Sequence, residues 1–189
     1  MENLAYQDET WSELIDGKIV MMSPRPAVDH NTVVTNLSRI LGNYLEGKRC
    51  IVFSDGVDVH LDEKNVFVPD VMIVCNRSII HHDGIYGAPD FVAEVTSPST
   101  ARRDRTVKFQ AYEKTGVKEY WLVNPIGKEI TVFLRQSDKF VFDNIYTVHP
   151  DWEWERMTEE ERAEAQLTVK ISLYDDLFVD IRKVFANVE

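Results

Sequence analysis

Two short apolar runs in this chain each carry one carboxylate, and that combination limits what the chain can fold into. Residues 66–75 read Val-Phe-Val-Pro-Asp-Val-Met-Ile-Val-Cys, and residues 91–96 read Phe-Val-Ala-Glu-Val-Thr. Turn-forming residues flank both, so each is expected to be a buried strand. An acid in such a strand gives up water and needs a cation, a hydrogen-bond donor or a proton in return. Just after the second run, Arg102, Arg103, Arg105 and Lys108 fall on a predicted helix. Two strand acids beside a basic helix suggest a divalent metal and a phosphate. The competing reading is ordinary strand-end salt bridging to the arginines.

Spacing narrows the acid pair to Asp70 and Glu94. Alternation on a strand sends Glu94 and Thr96 to one face and Val95 to the other. Asp90, in a second Pro-Asp dipeptide, shares that parity but lies about 13 Å from Glu94 along an extended strand. That is too far for one ion, and Asp90 is expected to cap the loop after Gly87. Asp70, from another strand, can lie directly beside Glu94. Two carboxylates, a backbone carbonyl and waters suit Mg²⁺, or Mn²⁺ in its place. Such an ion acidifies an attacking water, and a nearby lysine such as Lys108 stabilises the charge that builds on a phosphodiester.

The remaining pattern predicts a mixed α+β or α/β fold. Residues 13–22 read as a hairpin turning at Asp16-Gly17. Residues 29–46 carry apolar positions at helical spacing, with Asp29 as the expected N-cap. From residue 49 the period becomes two, giving strand pieces at 50–53 and 57–61, then the run at 66–75. Residues 76–89 look irregular. Residues 100–114 read as a helix closed by Gly116, with strands at 119–124, 129–135 and 139–148 beyond it. Thr158 and Glu161 form a capping box, and a β-rich tail follows. The expected architecture is a mixed β-sheet flanked by helices around a single core, with residues 1–10 a flexible arm and residues 11–189 one domain.

Charge and cysteine content limit the partners. The net charge, 21 − 32 = −11, argues against a surface that grips nucleic acid everywhere. Residues 151–164 hold seven acids against two arginines, whereas residues 102–108 hold four bases against one acid. Nucleic acid would thus bind locally and in a salt-sensitive way. No apolar run is long enough for a membrane span, and the polar, acidic start argues against a secretory signal. Cys50 and Cys75 lack metal-ligand spacing and are expected as buried thiols, which favours a cytoplasmic protein.

The order helix, strand, Pro-Asp strand, Glu-x-Thr strand, helix, strand resembles the core of the PD-(D/E)xK nuclease superfamily. More closely, E-L-I-D-G-K-I-V-M-M-S-P, V-P-D-V-M-I-V, G-A-P-D-F-V-A-E-V-T-S-P-S-T, R-R-D-R-T-V-K-F-Q-A-Y and G-V-K-E-Y-W-L-V-N-P are similar to the Uma-type family, assigned by similarity to the restriction endonucleases. The resemblance runs from Trp11 to about Phe185. It implies DNA phosphodiester cleavage, with Asp70 and Glu94 as metal acids. Where the superfamily has a lysine two residues after the glutamate, this chain has Thr96. Lys108 matches the lysine of the family's helix motif, but it lies about 12 Å of helix rise from Thr100 and has to reach back to the sheet.

A histidine also occurs in the family near His30, making that residue a candidate accessory beside a capping or surface role. Glu13 could add a third carboxylate, or be a strand-end acid on a partner surface. Arg102, Arg103 and Arg105 are candidates for phosphate contact. His81-His82-Asp83 is a poor metal site, since adjacent loop histidines rarely converge. The expectation is a Mg²⁺-dependent DNA endonuclease, paired as a homodimer to cut both strands. The alternatives are a catalytically silent nuclease-fold binding or assembly module, or a hydrolase of a smaller phosphoester.

Overall fold

A computed structural model describes residues 12–21 and 26–189; the expected arm at residues 1–10 lies outside them. Strands β1 (Ser12–Ile15) and β2 (Lys18–Met21) form the hairpin, and helix α1 spans Val28–Leu45. Then come β3 (Ile51–Ser54), β4 (Val59–Asp62), β5 (Asn65–Phe67), β6 (Val71–Val74), β7 (Ile85–Tyr86) and β8 (Phe91–Val95). Helix α2 (Ala101–Arg103) passes through a π-helical turn at Asp104–Lys108 into α3 (Phe109–Thr115). Strands β9 (Glu119–Asn124), β10 (Glu129–Gln136) and β11 (Lys139–Thr147) precede α4 (Asp151–Trp154) and α5 (Glu159–Glu164). The tail holds β12 (Thr168–Lys170), β13 (Phe178–Asp180) and α6 (Ile181–Val184).

The expected strand at residues 66–75 is two strands in two sheets. β5 belongs to a five-stranded sheet ordered β2-β1-β5-β4-β7, and β6 to a six-stranded sheet ordered β11-β10-β9-β8-β6-β3. Pro69 has no amide hydrogen to give a ladder, so the chain leaves one sheet at Val68 and enters the other after Asp70. The central strands β6, β8 and β9 of the six-stranded sheet are covered on both faces, which is why they read as continuous apolar runs. Val71, Ile73, Phe91, Ala93, Trp121 and Val123 face α1 and the tail. Met72, Val74, Val92, Tyr120 and Leu122 face the five-stranded sheet and α3. The single expected core is thus two apolar clusters, one on each side of this sheet.

Other expectations divide by mechanism. Asp16 and Gly17 take positive φ of 49° and 74°, as a type I′ hairpin turn requires. The Thr158–Glu161 capping box forms as read. Asp29 is not the N-cap of α1: Ala27 holds that place without a side-chain cap, and Asp29 sits in the first turn beside the helix dipole. The segment 76–89 is not wholly irregular, because β7 pairs with β4 in parallel. The cysteines are not free thiols. Ile51 pairs with Val74 across β3 and β6, so Cys50 and Cys75 meet as the next opposed pair and form a disulfide.

Candidate active site

Register brings the acids together. β6 and β8 are antiparallel with Val71 opposite Ala93, so Asp70, one step before β6, stands opposite Glu94. Asp70 Oδ2 accepts from the Val95 amide at 2.7 Å, and Oδ1 lies 3.2 Å from His30 Nε2 at the start of α1. Glu94 is 2% exposed. Its Oε1 accepts from Lys108 Nζ at 3.0 Å and Tyr112 Oη at 2.7 Å. Among the described residues no hydrogen bond goes to Glu94 Oε2, and this oxygen is not a sealed, unpaired atom.

Lys108 does turn back to the sheet. Its Nζ sits 3.0 Å from Glu94 Oε1 and 2.7 Å from Glu13 Oε1, with the Phe67 ring centroid 5.5 Å away. The π turn explains the reach. In an α-helix, residues spaced by four drift about 40° around the axis at each step; a wider turn fits an extra residue and cancels that drift. Asp104, Lys108 and Tyr112 are consequently all buried against the sheet. Tyr120 Oη donates to the Asp104 carbonyl at 3.0 Å, pairing a carbonyl in the π turn.

Burial and charge set the protonation. Burial pushes Glu94 up to about 8, opposed by Lys108 and reinforced by Asp70, Asp104 and Glu13. Burial pulls Lys108 down, but Glu94, Glu13 and Asp104 outweigh it and hold the ammonium above its usual range. For His30 burial again lowers, and the Asp70 hydrogen bond with the charges of Asp70 and Asp55 prevails, raising it. Asp55 is raised by burial and by Asp70, and Asp104 chiefly by burial.

The other candidates divide. Glu13 is central, 2% exposed and in the cluster rather than on a partner surface. Thr96 is buried and uncharged, its Oγ1 donating to the Val123 carbonyl at 3.3 Å. Arg103 turns to Glu13, 3.3 Å away, while Arg102 and Arg105 are exposed near the helix start. Asp90 does not cap the Gly87 loop: it accepts from the Cys75 amide at 2.7 Å and pairs with Lys118 at 2.6 Å. His81 packs edge-on against Tyr86.

Three neighbours escaped the sequence reading. Asp55 reads as a turn residue, but Ser54 pairs with Val71 and the Asp55 amide donates to the Asp70 carbonyl at 3.0 Å. Asp104 and Tyr112 flank Lys108 four residues either way, a spacing that was visible in the sequence. Among the described residues, no three His, Cys, Asp or Glu groups gather as a metal cluster. Two opposed carboxylates, one with an oxygen that takes no hydrogen bond among the described residues, still match Mg²⁺, which takes few protein oxygens and keeps its waters.

Comparison with known proteins places this geometry in context. The Uma2 family, described as "Putative restriction endonuclease", matches residues 2–169. The uncharacterized protein slr1290 of Synechocystis sp. is 28% identical over 128 residues, 67% of each chain. The uncharacterized protein sll1609 of the same organism is 26% identical over 132 residues, covering 68% of this chain and 74% of its own. A crystal structure from Anabaena variabilis, described as "a putative nuclease belonging to DUF820", superposes with a TM-score of 0.70. It covers 94% of this chain and 90% of its own at 20% identity, a likeness of fold.

Proposed function

Since this chain belongs to the Uma2 family, we propose that it is a Mg²⁺-dependent endonuclease that hydrolyses DNA phosphodiester bonds. The observation that carries the reading is the Lys108 ammonium held 3.0 Å from Glu94, whose strand neighbour is Asp70. Asp70 and Glu94 would hold the divalent cation. When bound, that ion supplies an acidified water and offsets charge on the phosphate.

The chain's own residues do the rest. The Val95 amide and His30 fix the Asp70 carboxylate, while Tyr112 and Lys108 fix Glu94 through Oε1 and leave Oε2 for the ion. Lys108 has three N–H donors; two face Glu13 and Glu94, and the third, with no acceptor among the described residues, would donate to a phosphate oxygen as negative charge builds there. Arg102 and Arg105 are exposed and can contact flanking phosphates. With a net charge of −11, binding rests on few such contacts and weakens steeply with salt. Two copies, each cutting one strand, would complete a double-strand break, and sedimentation at several concentrations reads that assembly.

The test is cleavage of supercoiled plasmid with MgCl₂ or MnCl₂. Asp70→Ala and Glu94→Ala should each abolish it while leaving circular dichroism unchanged; unchanged cleavage sinks the assignment. One observation favours a silent binding or assembly module instead: Glu94, one of the two proposed metal acids, already has a cation beside it in the Lys108 ammonium at 3.0 Å. Calorimetry that finds no Mg²⁺ or Mn²⁺ binding at millimolar concentration supports that second reading. Turnover of a mononucleotide ester without plasmid cleavage supports a smaller phosphoester substrate.

A further inference from the structure

Two carboxylates hold the Lys108 ammonium, and they differ in what they have left to give. Glu94 uses Oε1 for both Lys108 and Tyr112, and Oε2 carries no hydrogen bond among the described residues. Glu13 is spent on both sides. Its Oε1 accepts from the Val68 amide at 3.0 Å and pairs with Lys108 Nζ at 2.7 Å, and its Oε2 pairs with Arg103 at 3.3 Å. At 2% exposure its carboxylate is enclosed by these three partners.

Those partners belong to three parts of the fold. Val68 is where the chain crosses from the five-stranded to the six-stranded sheet, two residues before Asp70. Lys108 ends the π turn, and Arg103 ends α2. Glu13 itself is on β1, paired to Val20 across the N-terminal hairpin. One buried anion thus ties the hairpin to the acid-bearing turn and to the basic helix. Its Oε1 is filled by an amide and an ammonium, and its Oε2 faces the Arg103 guanidinium, a fixed positive charge that opposes a metal ion there.

We infer that Glu13 is a positioning residue, not a third metal ligand: it holds Lys108 at the reacting centre and fixes the Val68–Asp70 turn, making the hairpin part of the active site. The inference rests on the nuclease reading for its catalytic meaning. Without Glu13 the ammonium keeps Glu94 as its ion-pair partner among the described residues and leans onto the acid meant for the ion.

Glu13→Gln keeps an acceptor for the Val68 amide and removes the charge. In plasmid cleavage with Mn²⁺ it should lower kcat at least about tenfold, with KM changed by less than about twofold. In a Lys108→Met background the same change should alter the residual rate by less than about twofold, because Glu13 acts through Lys108. An independent tenfold loss there overturns the inference. Calorimetry with Mn²⁺ separates a ligand from a positioning group. Glu94→Gln should lose binding and Glu13→Gln should keep it within about threefold; a loss equal to that of Glu94→Gln also overturns it.

The nuclease reading can fail separately, and a wild-type protein that cuts no plasmid would show that. The position of Lys108 is then read by nitrogen-15 NMR of its ammonium. Proton exchange with water at least about tenfold faster in Glu13→Gln supports the clamp, and an unchanged rate rejects it.

Discussion

Glu94 and Lys108 set the residue-scale energetics, because both are buried and each answers the other's charge. Burial pushes Glu94 up to about 8 from an ordinary 4.5, so the folded chain keeps a proton that the unfolded chain has released. Between those values the folded state binds more protons. The unfolding free energy therefore falls as pH rises, by at most about 1.4 kcal/mol per pH unit, and levels off above the folded value. His30 is also raised, and its contribution is complete below 6.5 and lost as pH climbs through its folded value. Thermal melts of chelator-treated protein should show a midpoint that declines across this window, and Glu94→Gln should flatten most of the decline. Lys108→Met leaves Glu13 and Glu94 buried without their shared cation. Urea unfolding should then report a loss of about 3 kcal/mol, with plasmid cleavage reduced to a slow residual rate.

At the scale of elements, the π turn at Asp104–Lys108 sets how squarely the helix meets the sheet. A straight α-helix over residues 101–115 would spread Asp104, Lys108 and Tyr112 over about 80° of its circumference, and the wider turn brings them closer to one line. The Tyr120 hydroxyl on β9 supports the turn by donating to the Asp104 carbonyl. Tyr120→Phe keeps the ring and removes that donor. It should cost about 1 kcal/mol in urea unfolding and speed amide exchange in the π turn. The hairpin is the second element with an unexpected part. Asp16-Gly17 told that it would turn, but only its seating against Val68 and Lys108 shows Glu13 facing inward.

Across the whole molecule, one covalent link within the six-stranded sheet and one buried carboxylate at the tail brace the frame that carries the acid pair. The Cys50–Cys75 disulfide closes a loop with a sequence separation of 25 and joins β3 to β6 at the end opposite Asp55 and Asp70. Loop-closure entropy gives such a link up to about 3.5 kcal/mol. Dithiothreitol should lower the urea midpoint accordingly, and unfolded, unreduced protein should release no thiol to Ellman's reagent. The tail is fastened by Glu119, fully buried, which accepts from Trp121 Nε1 and from the Ser172 amide and hydroxyl.

Periodicity alone determined the hairpin, the first helix, the acid-bearing strand at residues 91–95 and most of the later strands, because alternation and helical spacing are local. Strand parity also favoured Asp70 over Asp90 as the neighbour of Glu94, an arrangement the β6–β8 register contains. Contacts between distant segments were not legible. The break at Pro69 reads as part of one apolar run until two sheets compete for its halves. Cys50 meets Cys75, and Asp55 meets Asp70, only through the β3–β6 register. Thr96 puts no charge two residues beyond Glu94, and only the tertiary fold brings the Lys108 ammonium to that carboxylate, because packing between segments distant in sequence sets which way a helix side chain reaches.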